Sequence, residues 1–390
     1  MAGVRLLTAG ESHGPALIAI LDGIPAGLAL DEGMIKRDLL RRQKGVGAGA
    51  RMAIESDSAR ILSGVMAGST TGAPVALCIE NRDHESWKGR AVEPMTTPRP
   101  GHADLAGALK YGQDDFRKVL ERASARETAA RVAAGAVCRE MLAAFGIRIG
   151  AYISSIGTNE ASLDGMTFEE RMERALADPA GCPDPTASAA MERAIADAQR
   201  DGETLGGVIE IIALGVPPGL GSYVQADRRL DALLGAAVLG VQAMKGVEIG
   251  PAFGNTRLPG TQVHDPIRKE GARLVRPSDR SGGIEGGMSN GEPIWIRAAM
   301  KPIPTTLKPQ PSVDGFTGMP GPMKYERSDV CPVPRAVVVL EAVVAIALAN
   351  ALLDKTGGDS IAEIAGRVAA LPRGALADLK LKGAPQVFWS

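Results

Sequence analysis

Apolar residues along this chain fall into two kinds of run. Short blocks of alternating or continuous apolar character have the length and β-branched content of strands: "RLLTA" (5–9), "PALIAILDG" (15–23), "APVALCIE" (73–80), "IRIGAYISSIG" (147–157), "GGVIEIIALGV" (206–216) and "PIWIRAAMK" (293–301). Three alanine-rich segments, 120–146, 227–246 and the run after Pro334, carry a helical signal. Their small side chains predict helices packed closely on one another inside the molecule. Two more polar helices are expected at 167–177 and 186–201, where Thr167 and Glu170 spell a capping box and Gly202 closes the second. Strands around central helices, without regular βαβ spacing, indicate an α+β fold.

Two stretches echo each other. "IAILDGIPAGL" (18–28) and "IEIIALGVPPGLG" (209–221) share an apolar strand, a glycine, a proline and Gly-Leu, each ahead of a charged helical segment. They read as a weak internal duplication with two similar halves facing each other; chance recurrence of a strand-turn pattern explains them equally well.

Composition narrows the picture. Glycine (48) and proline (26) are scattered, and no low-complexity linker splits the 390 residues, which suits a single domain over 1–390. Net charge is -1 and pI about 6.5, so no global field attracts nucleic acid or an acidic membrane, and any basic site is local. Aromatic content of 3% is a poor supply for base stacking. Cys78, Cys138, Cys182 and Cys331 form no C-x-x-C pair, which argues against structural zinc and disulfides and suits a reducing cytoplasm. The opening "MAGVRLLTAG" shows no apolar signal-peptide core. The apolar run 336–353 approaches bilayer length, but Glu341 and Asn350 interrupt it. A charge at bilayer depth costs roughly 2.5–3.5 kcal/mol, so a buried helix is expected.

Several stretches carry candidate chemistry. Gly10-Glu11-Ser12-His13-Gly14 matches the G-x-S-x-G nucleophile elbow, yet the chain after Pro15 reads as a strand and not as the helix an elbow requires. Either Ser12 is a hydrolase nucleophile, with His84, His102 or His264 as base, or His13 is the working residue. Pro100 and Gly101 place His102 at a loop-to-helix junction, with Asp104 able to orient its ring; an exposed loop histidine is the plainer alternative. His84 and His264 lie among charged and turn residues and read as surface.

Arginines gather nearby. Arg41, Arg42, Lys44 and Arg51 flank a glycine-rich turn, and Arg122, Arg126 and Arg131 follow later. Arg122 and Arg126 are four apart on one helical face, with Ser124 between them at the helix start. Guanidinium forks there suit phosphate or carboxylate, unless they form a solvated face paired with Glu121 and Glu127. "GVGAGA" follows a helix, which argues against a dinucleotide fingerprint. The segment 281–291 has five glycines in eleven residues but no P-loop lysine-serine end. Lys301 follows a strand and can point into a site, and Arg327 with Asp329 is either a site pair or a surface ion pair.

Taken in order, "GESHG", "DGIPAGL", "RRQKG", "RPGHADL…KYG", "SARETAARVAAGA", "QAMKGVEIG", "GGIEGGMSNG", "KPIPT" and "ERSD" resemble the chorismate synthase family from about residue 3 to 353, whereas 354–390 carry no such signature. The resemblance implies a β-α-β sandwich, assembled as a homotetramer. It implies a lyase that converts 5-enolpyruvylshikimate-3-phosphate to chorismate and phosphate by anti-1,4-elimination, in a cytoplasmic pathway to aromatic amino acids. Reduced FMN is required although the reaction is redox-neutral; the flavin lends an electron and later takes it back, while its N5 receives the proton.

By residue matching, His13 is the acid at the departing phosphate, His102 sets the flavin's charge state, and Asp329 relays the proton. Arg42, Arg51, Arg99, Arg126 and Arg327 bind substrate. Arg122, Ala123, Ser124, Gln242, Ala243, Gly286, Lys301, Pro302, Ile303, Pro304, Thr305 and Arg327 hold the flavin. The form resembles the bacterial branch without a built-in reductase, so an external flavin reductase draws on NADPH; a bifunctional form with its own NADPH-driven reduction is the alternative. Two departures stand out: Ala48 replaces a usual arginine, and "DPAGCPD" (178–184) lacks another.

Overall fold

Two antiparallel sheets enclose a layer of helices in this computed structural model, which describes residues 3–47, 57–323, 325–326 and 328–389. The first sheet contains β1 (Arg5–Ala9), β2 (Ala16–Asp22), β3 (Ala59–Ser63) and β4 (Val75–Glu80) in the order β1-β2-β4-β3. The second contains β5 (Arg148–Ile156), β6 (Asn159–Glu160), β7 (Gly207–Leu214), β8 (Met244–Ile249) and β9 (Ile294–Met300), ordered β8-β9-β7-β5-β6. Helices longer than one turn are α1 (Glu32–Gln43), α2 (Asp104–Tyr111), α3 (Phe116–Ala123), α4 (Thr128–Ala143), α5 (Phe168–Ala177), α6 (Pro185–Asp201), α7 (Leu230–Leu239), α8 (Val333–Thr356) and α9 (Ile361–Ala369).

Alternation decides which face of each sheet is buried. In β2, Leu17, Ala19 and Leu21 are buried and turn to the helices. Outward on the other face, Ile20 stands opposite Leu7. α4 rests on β2 and β4, α8 rests on β5 and β7, and the two helices meet between the sheets. Their contact is as close as the small residues suggested: a Cβ at Gly135 would lie 2.3 Å from Cβ of Ala342. The expected α+β sandwich is therefore present. α8 is long and apolar enough to cross a membrane, but 89% of its apolar window is buried inside the protein. Its Glu341 is 1% exposed and accepts from Arg41 (2.6 and 2.8 Å), Arg139 (3.0 Å) and the Ala151 N–H (3.0 Å).

The two echoing stretches follow the same course. β2 and β7 each end at a glycine with positive φ, Gly23 (85°) and Gly215 (76°). A Cβ at either would meet the carbonyl of Gly3 (2.4 Å) or Gly146 (2.3 Å), each close ahead of the neighbouring strand. Each segment then leads to a helix packed in the central layer, α1 or α7.

α5 and α6 fall where the sequence puts them, with the Thr167–Glu170 capping box formed and Gly202 left-handed (φ 70°). Two expectations need correction. The segment 120–146 is not one helix: α3 stops at Ala123, Ser124 is extended (ψ 141°), a 3-10 turn spans Ala125–Glu127, and α4 begins at Thr128. Ala, Arg and Glu all favour helix there, but Ser12 N–H takes the Glu121 carbonyl (3.0 Å) and Asp57 draws Arg126 aside. Likewise 227–246 is helical only over α7; from Met244 the chain becomes β8, paired with β9. All four cysteines are free and buried.

Candidate functional site

The break between α3 and α4 opens one wall of a cavity of about 670 Å3, within the usual size of small-molecule sites. The other walls are the 99–103 loop, the 239–245 turn, the segment after β9 and the start of α8. His13 and His102 both line it, as do Asp329, Arg42, Arg99 and Arg126. Residues from opposite ends of the chain are thus brought to one hollow.

His13 sits in the connection between β1 and β2. Its ring Nδ1 lies 2.6 Å from Glu121 Oε1, and its backbone N–H donates to Glu121 Oε2 (2.7 Å). Trp87 packs on the ring at 4.2 Å between centroids, and Nε2 is 4.0 Å from Asp83 Oδ2. His84, expected at the surface, instead braces this loop through a 2.9 Å bond between Nδ1 and the His13 carbonyl. Ser12 joins two antiparallel strands, so it is not on a strand-to-helix elbow; its hydroxyl accepts from Ser124 (3.2 Å).

His102 lies two residues ahead of α2, as Pro100 and Gly101 predict. Its Nδ1 is 2.5 Å from Oδ1 of Asp104, which has no exposed surface. Arg99 grips the same carboxylate through Nε (2.8 Å) and Nη2 (2.9 Å). Burial works against ionising Asp104, but the bonds from Arg99 and His102 more than offset it and hold the carboxyl well below the usual range.

The anion-binding wall is built at the start of α4. Arg126 donates to Asp57 (2.7 and 2.8 Å) and Asn81 (2.9 Å); Arg42 donates to Thr128 Oγ1 (3.0 Å), to the Ala125 carbonyl (2.9 Å) and, at 3.4 Å, to Asp57. Burial pushes the Arg42 guanidinium down to about 10, with Asp57 opposing and Arg126 and Arg335 adding to the fall; it remains cationic at neutral pH. Arg335, which the sequence reading missed, donates to Asp329 (2.7 Å), and its buried Nη2 has no hydrogen-bond partner among the described residues. Among the described lining residues, Arg42, Arg99, Arg126, Lys245, Lys301 and Arg335 face two carboxylates, Glu326 and Asp329. The chain is nearly neutral; this cavity is not.

The proposed cofactor residues divide. Ala123, Ser124, Gln242, Ala243, Lys301, Ile303, Pro304 and Thr305 line the cavity. Ala243 holds φ 68°, a strained conformation for a residue with a Cβ, and accepts the Lys301 N–H (3.0 Å). Lys301 Nζ donates to the Gly101 carbonyl (2.6 Å). The Arg122 side chain instead turns to β1, donating to Thr8 and Gly10 carbonyls (2.9 and 3.1 Å), so it does not share a helical face with Arg126. Pro302 and Gly286 are not among the residues lining the cavity; Gly286 (φ 58°) forms the turn of a small hairpin, Ile284–Glu285 with Met288–Ser289. Arg51, Arg327 and Ala48 lie outside the described residues. The 178–184 stretch borders a different groove, where Asp178 accepts from Ala180, Cys182 and Ser188. That groove is larger, about 1000 Å3, but its Arg41 and Arg139 are committed to Glu341 and Asp38.

Residues 4–353 match the family model described as chorismate synthase. The chain belongs to the chorismate synthase family. It is 53% identical over 383 residues to chorismate synthase of Chlorobaculum tepidum, covering 94% of this chain and 96% of that one. To chorismate synthase of Pelobacter propionicus it is 52% identical over 378 residues, covering 93% and 96%. A crystal structure of chorismate synthase superposes with a TM-score of 0.78 at 44% identity, covering 94% of this chain and 96% of that one. Family membership makes this chain an enzyme with a chorismate-forming lyase role in aromatic biosynthesis.

The residues present suit the flavin that chorismate synthases use. Gln242 Oε1 is buried on the cavity wall with no hydrogen-bond partner among the described residues, next to the strained Ala243. Lys301, its ammonium destabilised by burial and by Lys245, adds positive charge beside it. An unpaired acceptor and two amines fit a planar group that carries both donors and anionic oxygens.

Proposed function

We propose that this chorismate synthase homologue converts 5-enolpyruvylshikimate-3-phosphate to chorismate and phosphate by anti-1,4-elimination, with reduced FMN as cofactor. The observation that carries the reading is the shared cationic cavity with two carboxylate-held imidazoles on its wall. A substrate with a phosphate and two carboxylates calls for several cations. Arg42, Arg99, Arg126 and Arg335 supply them here, together with Arg51 and Arg327 by family resemblance.

In the reaction the bond from carbon 3 to the phosphate oxygen breaks, a hydrogen leaves carbon 6, and the ring gains a conjugated double bond. His13 donates a proton to the leaving phosphate, a role suited to an imidazole near neutral pH. Asp329 relays the proton that leaves carbon 6. His102, oriented by Asp104, sets the protonation state of the cofactor. Bound reduced FMN supplies transient electron donation, held by Ser124, Gln242, Ala243 and the Lys301–Thr305 segment.

The working form is a cytoplasmic homotetramer supplied by an external flavin reductase that uses NADPH. The outward apolar pair Leu7 and Ile20, 55% and 38% exposed, supports self-association. An anaerobic assay tests the whole reading: photoreduced FMN with the enolpyruvyl substrate is expected to give chorismate, and oxidised FMN with NADPH none. Product in both would make the enzyme bifunctional, and product in neither would refute the assignment. A serine hydrolase built on Ser12 would instead be labelled by a fluorophosphonate probe.

A further inference from the structure

Glu121 is tied three times to the loop that carries His13. Its backbone carbonyl accepts from Ser12 N–H (3.0 Å), Oε2 accepts from His13 N–H (2.7 Å), and Oε1 meets the ring Nδ1 (2.6 Å). Both side chains are largely buried, at 16% and 15% exposure. Trp87 packs on the ring's face, 4.2 Å between centroids, and His84 bonds the carbonyl of the same residue. Burial disfavours the Glu121 carboxylate, but the two bonds from His13, with Arg117 nearby, hold its pKa below the ordinary value. An ionised carboxylate can only accept, so the nitrogen facing it carries the proton.

We infer that Glu121 is the positioning residue of His13: it fixes the neutral ring as the Nδ1–H tautomer and makes Nε2 the nitrogen that gives up the proton. The inference rests on the acid role of His13 proposed above. When Nε2 protonates the departing phosphate oxygen, the imidazolium loses one proton and the neutral ring that remains keeps its Nδ1 proton on Glu121. Among the described residues, the carboxylate nearest Nε2 is that of Asp83, 4.0 Å away. This arrangement has the logic of other base–orienter pairs, in which a carboxylate selects tautomer and ring direction without taking the proton itself.

Nitrogen-15 NMR of the histidine rings reads the tautomer directly in the wild-type enzyme, without ligand. The expected pattern above the imidazole titration is a protonated Nδ1 and an unprotonated Nε2 at His13, lost in Glu121→Ala. Turnover with substrate and photoreduced FMN is expected to fall about 100-fold in Glu121→Ala, the low end of general-acid effects, with KM little changed. The isosteric Glu121→Gln, whose amide oxygen can accept only one of the two donors, is expected to fall between them and guards against a folding defect. An Nε2–H tautomer in the wild type, or wild-type kcat in both variants, would overturn the inference. Full activity in His13→Ala would instead remove the acid role while the tautomer pattern stood, so the two failures are distinguishable.

Discussion

Asp104 Oδ1 stands 2.5 Å from Nδ1 of His102, and the carboxylate that makes this contact is wholly shielded from solvent. Its depressed pKa means that it stabilises the folded state above its unfolded value near 4, and that this contribution is lost as pH falls below that value. Removing one partner of a buried pair typically costs about 3–5 kcal/mol. Asp104→Asn is therefore expected to lower stability at pH 7 by an amount of that order. Urea unfolding at pH 7 and at low pH checks the sign: the gap between wild type and variant should narrow on acidification.

Glu341 offers the same physics away from the cavity. Two arginines and a backbone N–H converge on it in the middle of α8. Glu341→Ala leaves Arg41 and Arg139 without their buried carboxylate, for an expected loss of about 3–5 kcal/mol. The urea midpoint should drop, while activity per folded molecule should stay near wild type.

Gly135 tests the central helix contact. In an isolated helix Gly→Ala stabilises by about 1 kcal/mol. Here the added methyl would meet Ala342 at 2.3 Å, so Gly135→Ala is expected to destabilise by roughly 1–3 kcal/mol through overpacking. Ala342→Gly in the same chain should not rescue it, because Cα and the carbonyl oxygen of residue 342 would still lie 2.5 and 2.8 Å from the methyl; thermal unfolding measures both variants.

Lys301 tests the cofactor wall. Its ammonium is held at the Gly101 carbonyl inside the cavity. Losing a charged hydrogen-bond donor is worth about 1.5–3 kcal/mol, so Lys301→Met should weaken FMN binding at least tenfold by calorimetry. Unchanged affinity would remove Lys301 from the cofactor site.

Much of the fold was legible because burial writes itself into local pattern. All six expected strand blocks and the Thr167–Glu170 cap depend on neighbours in sequence, and each strand lies within two residues of its expected bounds. What stayed hidden depends on distant partners. The break at Ser124 lies among Ala, Arg and Glu residues that favour helix; Ser124 caps the next turn, accepting from Arg126 N–H, and contacts with Ser12 and Asp57 enforce the break. β8 was concealed inside a helical-looking run because only its pairing with β9 makes it a strand. In the site, local sequence singled out His13, His102 and Asp329 as candidates with plainer alternatives open, and family resemblance supplied their roles. Glu121, Trp87, Asp57 and Arg335 were missed because no sequence period links 57, 87, 121 and 335.

The chain has only four histidines, so its ring spectrum is simple enough to test the shared cavity directly. Titrating the enzyme with the enolpyruvyl substrate and FMN, while following the imidazole signals, should shift His13 and His102 together and leave His264 unmoved. A response from one of the two with silence from the other would contradict a common site.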